Sequence, residues 1–331
     1  MAKIHRSIAE LVGHTPLLEL TNYEKQHGLE AEIVAKLEYF NPNQSIKDRI
    51  AKNMIEAAEK EGKIHPGDTL VEVTSGNTGI AEAALAAAKG YKYQVYIQDQ
   101  VSRERFQVIE ALGAETIKLS TVPEVEKILT ETNGDFMAAV KYLKENNLRH
   151  NSGRYFLDQV ANPENTGAHR KTTGPEIWDD TDGNVDIFVA AVGTGGTLSG
   201  IGEYLKFQNP KIKVVGVQPG PGSLPAPGKT NPALEITGTH PFYGIPEDHM
   251  PGALNRDIYD EVITVESKEA AIAVRAVAKS DGILVGTSSG AALHAALLLA
   301  KKTENKGKRI VVIFPDTGLR YLSTKLFDEE G

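Results

Sequence analysis

One lysine lies in a setting that suits covalent chemistry, within residues 41–49, which read NPNQSIKDR. The pattern predicts that Lys47 occupies the first turn of a helix, with Ser45 as the N-cap and Asp48 favoured by the helix dipole. Because a cation is disfavoured at a helix N-terminus, this position would lower the pKa of Lys47. A lysine with a lowered pKa forms Schiff bases with carbonyl compounds. Most lysines are solvated surface groups, so this signal alone is weak.

Three loops rich in Gly, Ser and Thr are suited to binding anions. Each follows a predicted strand and precedes a predicted helix: TLVEV–TSGNTG, DIFVAAV–GTGGT and GILV–GTSSG. Glycine lets backbone amides approach a ligand, and a helix N-terminus offers unpaired N–H groups at its positive end. The carboxyl ends of parallel strands meet at one edge of an α/β sheet, so the loops are predicted to converge. Capping explains any one loop, whereas three together favour an anion-rich cofactor.

Two common nucleotide-binding motifs are missing from the sequence. GTGGTLSG fails Gly-x-Gly-x-x-Gly because Leu198 stands where the third glycine belongs, and no Gly-x4-Gly-Lys-Ser/Thr occurs. The dinucleotide and P-loop hypotheses therefore have no motif support.

The composition excludes further kinds of site. The chain has 331 residues and no cysteine, which excludes disulfides, thiolate nucleophiles and zinc–thiolate sites. The nine histidines show no His-x-x-x-His spacing, so a metal site is not expected. The net charge of −8 argues against nucleic acid and anionic membranes as partners. Without a run of signal-peptide length or a membrane-spanning segment, a cytoplasmic protein is expected.

Short strands and longer helical patterns alternate along the chain and must position these residues. Strands are predicted at residues 33–37, 69–73, 93–97, 116–119, 185–192, 214–218 and 309–314. Helices are predicted at residues 48–61, 80–89, 105–112, 198–207, 268–280 and 291–302. This alternation indicates an α/β protein with mostly parallel sheets covered by helices on both faces. The polar stretch 144–154 predicts a crossing between domains near residue 155.

In combination, these motifs resemble the cysteine synthase / cystathionine β-synthase family of fold-type II pyridoxal-phosphate (PLP) enzymes. The resemblance runs from GHTPL at residue 13 to RYLST at residue 320 and includes NPNQSIKDR, TSGNTG, HRKTTGPEIW, VGTGGTLSG and GTSSG, in that order. It implies a tryptophan synthase β-like fold of two three-layer αβα domains. The smaller domain, mobile and substrate-binding, would span residues 42–155. The larger domain, which binds the PLP phosphate, would comprise residues 1–41 and 156–331.

The resemblance also implies a role for each residue of the site. Lys47 would carry PLP as a Schiff base, Asn77 would hydrogen-bond the ring hydroxyl of the cofactor, and Ser288 would face its pyridine nitrogen. The PLP phosphate would be cradled by Gly193, Thr194, Gly195, Gly196 and Thr197. The substrate carboxylate would be held by Thr74, Ser75, Thr78 and Gln159.

The chemistry implied is replacement at the β-carbon of a small amino acid. PLP acts as the electron sink, while the protein supplies binding and orientation. Lys47 would remove the α-proton, a group on the β-carbon would leave, a nucleophile would add, and Lys47 would return the proton. A serine beside the pyridine nitrogen, in place of a carboxylate, would not stabilise a pyridinium. Ser288 should therefore favour elimination over transamination.

The loop at residues 244–251, which reads GIPEDHMP, departs from the family pattern. Cysteine synthases that use O-acetylserine read close to Gly-Ile-Gly-Ala-Gly-Phe-Ile-Pro there, whereas cystathionine β-synthases carry an Asp resembling Asp248. Asp248 would bind the amino group of a second amino acid or help to activate water. Alternatively, Glu247 and Asp248 are solvated loop charges. Residues 99–106 and 120–144 differ from the family as well, so the second substrate stays open.

Two reactions therefore remain candidates. The first is cysteine synthesis from O-acetylserine and sulfide, with acetate as the second product. The second consumes L-cysteine, releases hydrogen sulfide and forms serine, lanthionine or cystathionine. A non-catalytic metabolite-binding protein is a remote third hypothesis, against which the intact lysine and loops argue. The expected partners are small amino acids with sulfide or a thiol, and the resemblance alone predicts a homodimer.

Overall fold

The computed structural model describes residues 4–74, 76–99, 101, 103–132, 136–146, 153–224 and 236–328. The strands in this part of the chain are β1 (Leu17–Glu19), β2 (Glu32–Leu37), β3 (Thr69–Thr74), β4 (Lys92–Ile97), β5 (Glu115–Lys118), β6 (Arg154–Phe156), β7 (Ile187–Ala191), β8 (Lys213–Pro219), β9 (Glu261–Val265) and β10 (Arg309–Phe314).

Helices connect these strands. They are α1 (Thr21–His27), α2 (Lys47–Lys60), α3 (Asn77–Lys89), α4 (Arg103–Ala111), α5 (Pro123–Glu131), α6 (Phe136–Asn146), α7 (Pro163–Ala168), α8 (Gly174–Asp180), α9 (Gly196–Gln208), α10 (Ser267–Asp281) and α11 (Thr287–Ala300). A π-helical turn, His169–Thr173, joins α7 to α8.

The described strands form two sheets of mainly parallel strands. The larger has the order β1-β2-β10-β7-β8-β9, and the smaller has the order β5-β4-β3-β6. The β1–β2 pair is antiparallel, whereas the other pairs in both sheets are parallel. Parallel neighbours require crossovers, which the intervening helices provide. The predicted α/β class with mostly parallel sheets is therefore confirmed.

Each sheet is covered by helices on both faces. Successive residues of a strand point to opposite sides, so each central strand contributes side chains to two cores. On β10, Ile310, Val312 and Phe314 join the core formed with α1, α10 and α11. Val311 and Ile313 join the core on the opposite face, formed with α8 and α9. The smaller sheet repeats this arrangement, with α2 and α3 on one face and α5 and α6 on the other. The result is two three-layer αβα units, whose boundaries at residues 42 and 155 stay predictions.

The run before the third loop differs from its prediction. Residues 282–285 form no strand of either sheet, and Val285 makes only an isolated bridge with Thr317. The reason is local: α10 ends at Gly282, whose left-handed φ of 73° terminates the helix just three residues before the loop. The third loop is consequently held by the segment after β10.

Among the described residues, no helix combines the length and apolar character that a bilayer span needs. Nor does this part of the chain hold a cluster of three or more His, Cys, Asp or Glu side chains suited to a metal ion.

Two glutamates are buried within the smaller αβα unit. Glu82 on α3 accepts a hydrogen bond from the hydroxyl of Tyr93 at 2.7 Å, and Glu72 on β3 accepts the backbone N–H groups of Val73 and Gln159. Burial raises the pKa of Glu72 to about 8 and raises the pKa of Glu82 well above its ordinary value. Both carboxyls therefore bind protons more tightly in the folded state than in the unfolded chain.

This difference predicts how stability depends on pH. A raised folded-state pKa stabilises the protein below the unfolded value of 4.5, and that stability is lost as pH rises through the folded value. Glu82→Gln keeps an acceptor for Tyr93 but removes one titrating group. Urea unfolding between pH 5 and pH 8 should show the wild type losing stability more steeply, by up to about 1.4 kcal/mol per pH unit. Exposed Glu145→Gln is the control, and equal slopes for Glu82→Gln and wild type would contradict the prediction.

Candidate active site

Lys47 begins α2, as its motif predicts, but the cap differs from the prediction. The N-cap position is Ile46, which has no capping side chain, while the Oγ of Ser45 accepts the N–H of Lys47 at 3.3 Å. The run before the lysine is held by the segment after β10, since the N–H of Ile46 donates to Pro315 O at 2.8 Å and Ser45 bridges to Asp316. Backbone hydrogen bonds from a buried strand end thus fix the start of α2.

The lysine side chain has a lowered pKa, although the main cause is not the predicted one. Its atoms are only half-buried, yet the surrounding protein is dense enough that desolvation lowers the pKa of Lys47. The charges of Asp316 and Glu82 act in the opposite direction. A lowered pKa favours the neutral amine, which is the form that acts as a nucleophile or a base.

The loop at residues 193–197 is packed too tightly for side chains at its glycines. Gly195 has a φ of 90°, and a Cβ there would lie 2.5 Å from the Cβ of Leu254. A Cβ on Gly196 would overlap Oδ1 of Asn165, whose Nδ2 donates to Thr194 Oγ1 at 3.0 Å. Because α9 begins at Gly196, the loop places backbone amides at the positive end of a helix. This arrangement is suited to a phosphate group.

A histidine that was not predicted as a site residue contacts this loop. His169 is buried, with Nδ1 2.9 Å from Thr173 Oγ1 and Nε2 3.3 Å from Thr197 Oγ1. Burial, with the charges of Arg49 and Lys47, holds the pKa of His169 well below its ordinary value. A neutral imidazole therefore supports the hydroxyl of Thr197. The signal for this residue was the HRKTTGPEIW motif, in which it is the first residue.

The TSGNTG loop brings together three of the four predicted carboxylate-binding residues. Thr74 and Thr78 are buried, and the hydroxyl of Thr78 donates to Gln159 Oε1 at 2.7 Å. The amide of Gln159 also donates to Val73 O at 3.3 Å, which anchors it to β3. Ser75 lies outside the described residues.

Asn77 begins α3 and faces the segment after β10. Its Nδ2 donates to Asp316 Oδ2 at 2.8 Å, and its Oδ1 accepts from Nη1 of Arg320. The hydroxyl of Tyr321 also donates to Asp316 Oδ2, at 2.8 Å. Asp316 and Arg320 were not predicted as site residues; the signal available for Arg320 was the RYLST motif, which it begins.

The third loop meets the same carboxylate. Ser288 is the second residue of α11 and is buried. The N–H of Gly286 donates to Asp316 O at 3.2 Å, and a Cβ on Gly286 would overlap Asp316 Oδ1. Asp316 thus contacts the lysine segment, the first loop and the third loop, so the structure gathers these predicted groups around one carboxylate.

The acidic loop is described only in part. Glu247 is 84% exposed and accepts a hydrogen bond from Arg256 at 2.8 Å, which fits the hypothesis of a solvated charge. The side chain of Asp248 lies outside the described part of the structure.

A buried ion network locks the helix that carries the lysine. Arg49 on α2 donates to Glu38 at 2.7 Å and to both oxygens of Glu176, at 2.7 and 2.6 Å. Lys36 lies 3.0 Å from the same Glu176. Burial alone would raise the pKa of Glu176, but the hydrogen bonds and charge of Arg49 lower it to about 2. The charge of Arg49, two residues beyond Lys47, is therefore tied to the turn that follows β2 and to α8.

Comparison with known proteins agrees with this geometry. The family model "Pyridoxal-phosphate dependent enzyme" matches residues 8–316. Cysteine synthase of Staphylococcus aureus (strain Mu50 / ATCC 700699) is 42% identical over 322 residues, which is 97% of this chain and 96% of the relative. The chain belongs to the pyridoxal-phosphate dependent enzymes, and within them to the cysteine synthase family.

Solved structures show the same relationship. Cysteine synthase from Entamoeba histolytica has a TM-score of 0.84 and 38% identity, covering 99% of this chain and 92% of that chain. A hydrogen sulfide-producing enzyme from Fusobacterium nucleatum has a TM-score of 0.81 and 34% identity, covering 97% of this chain and 99% of that chain. The predicted fold type, enzyme class and PLP cofactor are therefore confirmed.

The residues present fit PLP. The glycines of the loop at residues 193–197 have no room for a Cβ, as Gly196 shows, and the loop leads into the N-terminus of α9, where backbone amides are suited to a phosphate. Lys47 has the lowered pKa that bonding to the PLP aldehyde requires. In addition, Oδ1 of Asp316 is buried with no hydrogen-bond partner among the described residues. The site thus has a glycine-rich loop suited to a phosphate, an amine and an unpaired carboxylate oxygen.

The loop at residues 193–197 yields a second prediction. In Gly196→Ala the new methyl group would overlap Asn165, which cannot move without losing its hydrogen bonds to Gln159 O at 2.6 Å and Thr194. We expect the apparent dissociation constant of PLP to rise by about 10- to 100-fold. Titration of cofactor-free protein, followed by absorbance, measures this change.

Gly167→Ala on α7 is the matched control. Its Cβ would approach the side-chain ends of Glu164, at 3.2 Å, and of Asn53, at 3.5 Å, so PLP affinity should stay close to that of the wild type. If Gly196→Ala bound PLP as tightly as Gly167→Ala, the loop would not be the phosphate cradle.

Proposed function

We propose that this enzyme makes cysteine from O-acetylserine and sulfide, with acetate as the second product. The observation that carries the proposal is Lys47, whose pKa is lowered by burial and whose segment meets two of the glycine-rich loops at Asp316. The similarity to cysteine synthases over nearly the whole chain supports the choice of reaction.

In this proposal Lys47 has two tasks. It holds the cofactor, and its Nζ takes the α-proton of the substrate and later returns it. PLP, when bound, withdraws electrons from the substrate's α-carbon. Because desolvation favours the neutral amine, Lys47 can accept the α-proton once it has released the cofactor. The charge of Asp316 then stabilises the ammonium, since it acts to raise the pKa of Lys47.

The other residues bind and orient. We assign the PLP phosphate to Gly193, Thr194, Gly195, Gly196 and Thr197, at the N-terminus of α9. We assign the ring hydroxyl to Asn77 and the pyridine nitrogen to Ser288, whose uncharged hydroxyl does not stabilise a protonated ring. The substrate carboxylate is assigned to Thr74, Ser75, Thr78 and Gln159. The hydrogen bond between Thr78 and Gln159 supports this assignment, because it already joins two of these groups.

The second candidate is the reaction that consumes L-cysteine and releases hydrogen sulfide. It is favoured by the similar Fusobacterium nucleatum structure, which is titled a hydrogen sulfide-producing enzyme, and by the acidic loop. Glu247 is exposed and paired with Arg256, so the acidic-loop argument rests on Asp248. In this reaction Asp248 would bind the amino group of a second amino acid or activate water.

Steady-state assays distinguish the two reactions. In one assay the PLP-loaded protein is given O-acetylserine and sulfide, and the formation of cysteine is measured. In the other it is given L-cysteine alone, and the release of sulfide is measured. We expect a higher kcat/KM for cysteine formation. Faster sulfide release from cysteine, lost in Asp248→Ala but not in Arg256→Ala, would establish the second reaction instead.

We further propose that residues 42–155 form the mobile, substrate-binding domain and that the enzyme is a cytoplasmic homodimer. The first part is supported by the smaller sheet, whose strands β3 to β6 extend from Thr69 to Phe156. Light scattering tests whether the enzyme is a homodimer, and a monomeric mass at micromolar concentration would reject the dimer.

A further inference from the structure

Arg320 connects three parts of the chain that are far apart in sequence. It lies in the short 3-10 turn Gly318–Tyr321, after β10. Its Nη1 donates to Oδ1 of Asn77 at the start of α3, and its Nη2 donates to the backbone carbonyl of Asn43, four residues before Lys47. One guanidinium therefore joins the C-terminal segment to the first loop and to the lysine segment.

The amide of Asn77 is held at both ends by groups of fixed hydrogen-bonding character. A guanidinium can only donate, and the Asp316 carboxylate can only accept. Oδ1 of Asn77 faces Arg320, while Nδ2 donates to Asp316 Oδ2 at 2.8 Å. The hydroxyl of Tyr321 holds the same oxygen at 2.8 Å. Rotating the amide by 180° would set two donors against each other and two acceptors against each other, so one orientation is strongly preferred.

This orientation leaves one donor free for a ligand. The NH2 group of Asn77 carries two hydrogens, and Asp316 takes only one of them. The side-chain carbonyl oxygen of Asn77, in contrast, accepts a hydrogen bond from the charged guanidinium of Arg320. A cofactor at this loop is therefore offered a hydrogen-bond donor by Asn77.

We propose that Arg320 is a positioning residue that fixes the amide of Asn77 with its NH2 group towards the ring oxygen of PLP. This inference rests on the proposed function, in which Asn77 contacts that oxygen. A donor at the oxygen favours the tautomer of the bound cofactor in which the oxygen is negatively charged. An acceptor there favours the tautomer in which the oxygen carries the proton. The charged tautomer absorbs at longer wavelength, so the ratio of the two bands reports the amide's orientation.

The test compares two arginines that both hold the C-terminal segment. Arg320→Leu removes the donor to Asn77. Arg275→Leu, on α10, removes a donor that lies 3.0 Å from the backbone carbonyl oxygen of Leu326. With PLP bound and at fixed pH, the ratio of the long- to the short-wavelength band should fall about two- to tenfold in Arg320→Leu. It should stay unchanged in Arg275→Leu.

Two further variants cover the case in which Arg320→Leu does not fold. Arg320→Lys keeps the charge, but a single ammonium does not reproduce the two-pronged contact, so the ratio should take an intermediate value. In an Asn77→Ala background, Arg320→Lys should change the ratio no further, because the amide that it orients is absent. A role in folding alone would shift the melting temperature and leave the band ratio of each folded variant constant.

The outcomes separate this inference from the proposed function. A wild-type protein that shows no cofactor band would refute the proposed function. A normal wild-type band, with the same ratio in the Arg320 variants as in Arg275→Leu, would refute only the role of Arg320.

Discussion

Lys47→Ala is expected to lower kcat/KM for cysteine formation by at least about 10³-fold, because it removes both the group that holds PLP and the base for the α-proton. No second amine can replace it from the same helix, because the next lysine on α2, Lys52, lies more than one turn away. Steady-state assays with O-acetylserine and sulfide, at saturating PLP, measure the loss.

Lys52→Ala is the matched control, since it removes a half-buried lysine from the same helix. Its kcat/KM should stay within about twofold of the wild type, because Lys52 is not among the residues assigned to PLP or to the substrate. A Lys47→Ala enzyme that kept a tenth of the wild-type activity would exclude Lys47 as the catalytic base.

Arg49→Leu should cost about 3–5 kcal/mol of folding free energy, the usual result of removing one partner from a buried ion pair. Its side chain and that of Glu38 are almost fully buried, with relative exposures of 2% and 0%. Leucine would leave Glu38 without its strongest partner and would leave Glu176 with Lys36 and the N–H of His14. The shift of the urea-unfolding midpoint measures the cost, and aggregation during expression would show the same effect.

The control is Arg256→Leu, which breaks an ion pair with exposures of 48% and 84%. Exposed pairs contribute only about 0–1 kcal/mol, so its midpoint should hardly move. Arg49→Lys keeps the charge but not the paired contacts with Glu176, and it should lie between the two. Equal midpoints for Arg49→Leu and Arg256→Leu would show that the network does not stabilise the start of α2.

The features predicted correctly from the sequence are those that depend on neighbouring residues. The glycine-rich loops correctly predicted the starts of α9 and α3, because the chemistry of turns and caps depends on adjacent residues. The lowered pKa of Lys47 was also predicted, but from the helix dipole. The larger cause is burial, which depends on how distant segments enclose the side chain and has no local signature.

What the sequence did not predict depends on contacts between distant residues. Asp316 and Arg320 meet Asn77 across 239 and 243 residues, a pairing that only the order of the strands brings about. His169 is the first residue of the HRKTTGPEIW motif, but its role follows only from its distances to Thr173 and Thr197. The helices α5 and α6 were missed as well, although α5 begins with a proline at a favoured first-turn position.

Borohydride trapping tests the central claim most directly. Reduction of the PLP-loaded enzyme fixes the cofactor to the amine that holds it, and mass spectrometry of a digest then identifies the labelled peptide. We predict a pyridoxyl group on the peptide that contains Lys47 and none on the peptide that contains Lys52. A label on any other lysine, or an unlabelled Lys47 in a protein that absorbs as a PLP enzyme, would contradict the assignment of Lys47 and the mechanism built on it.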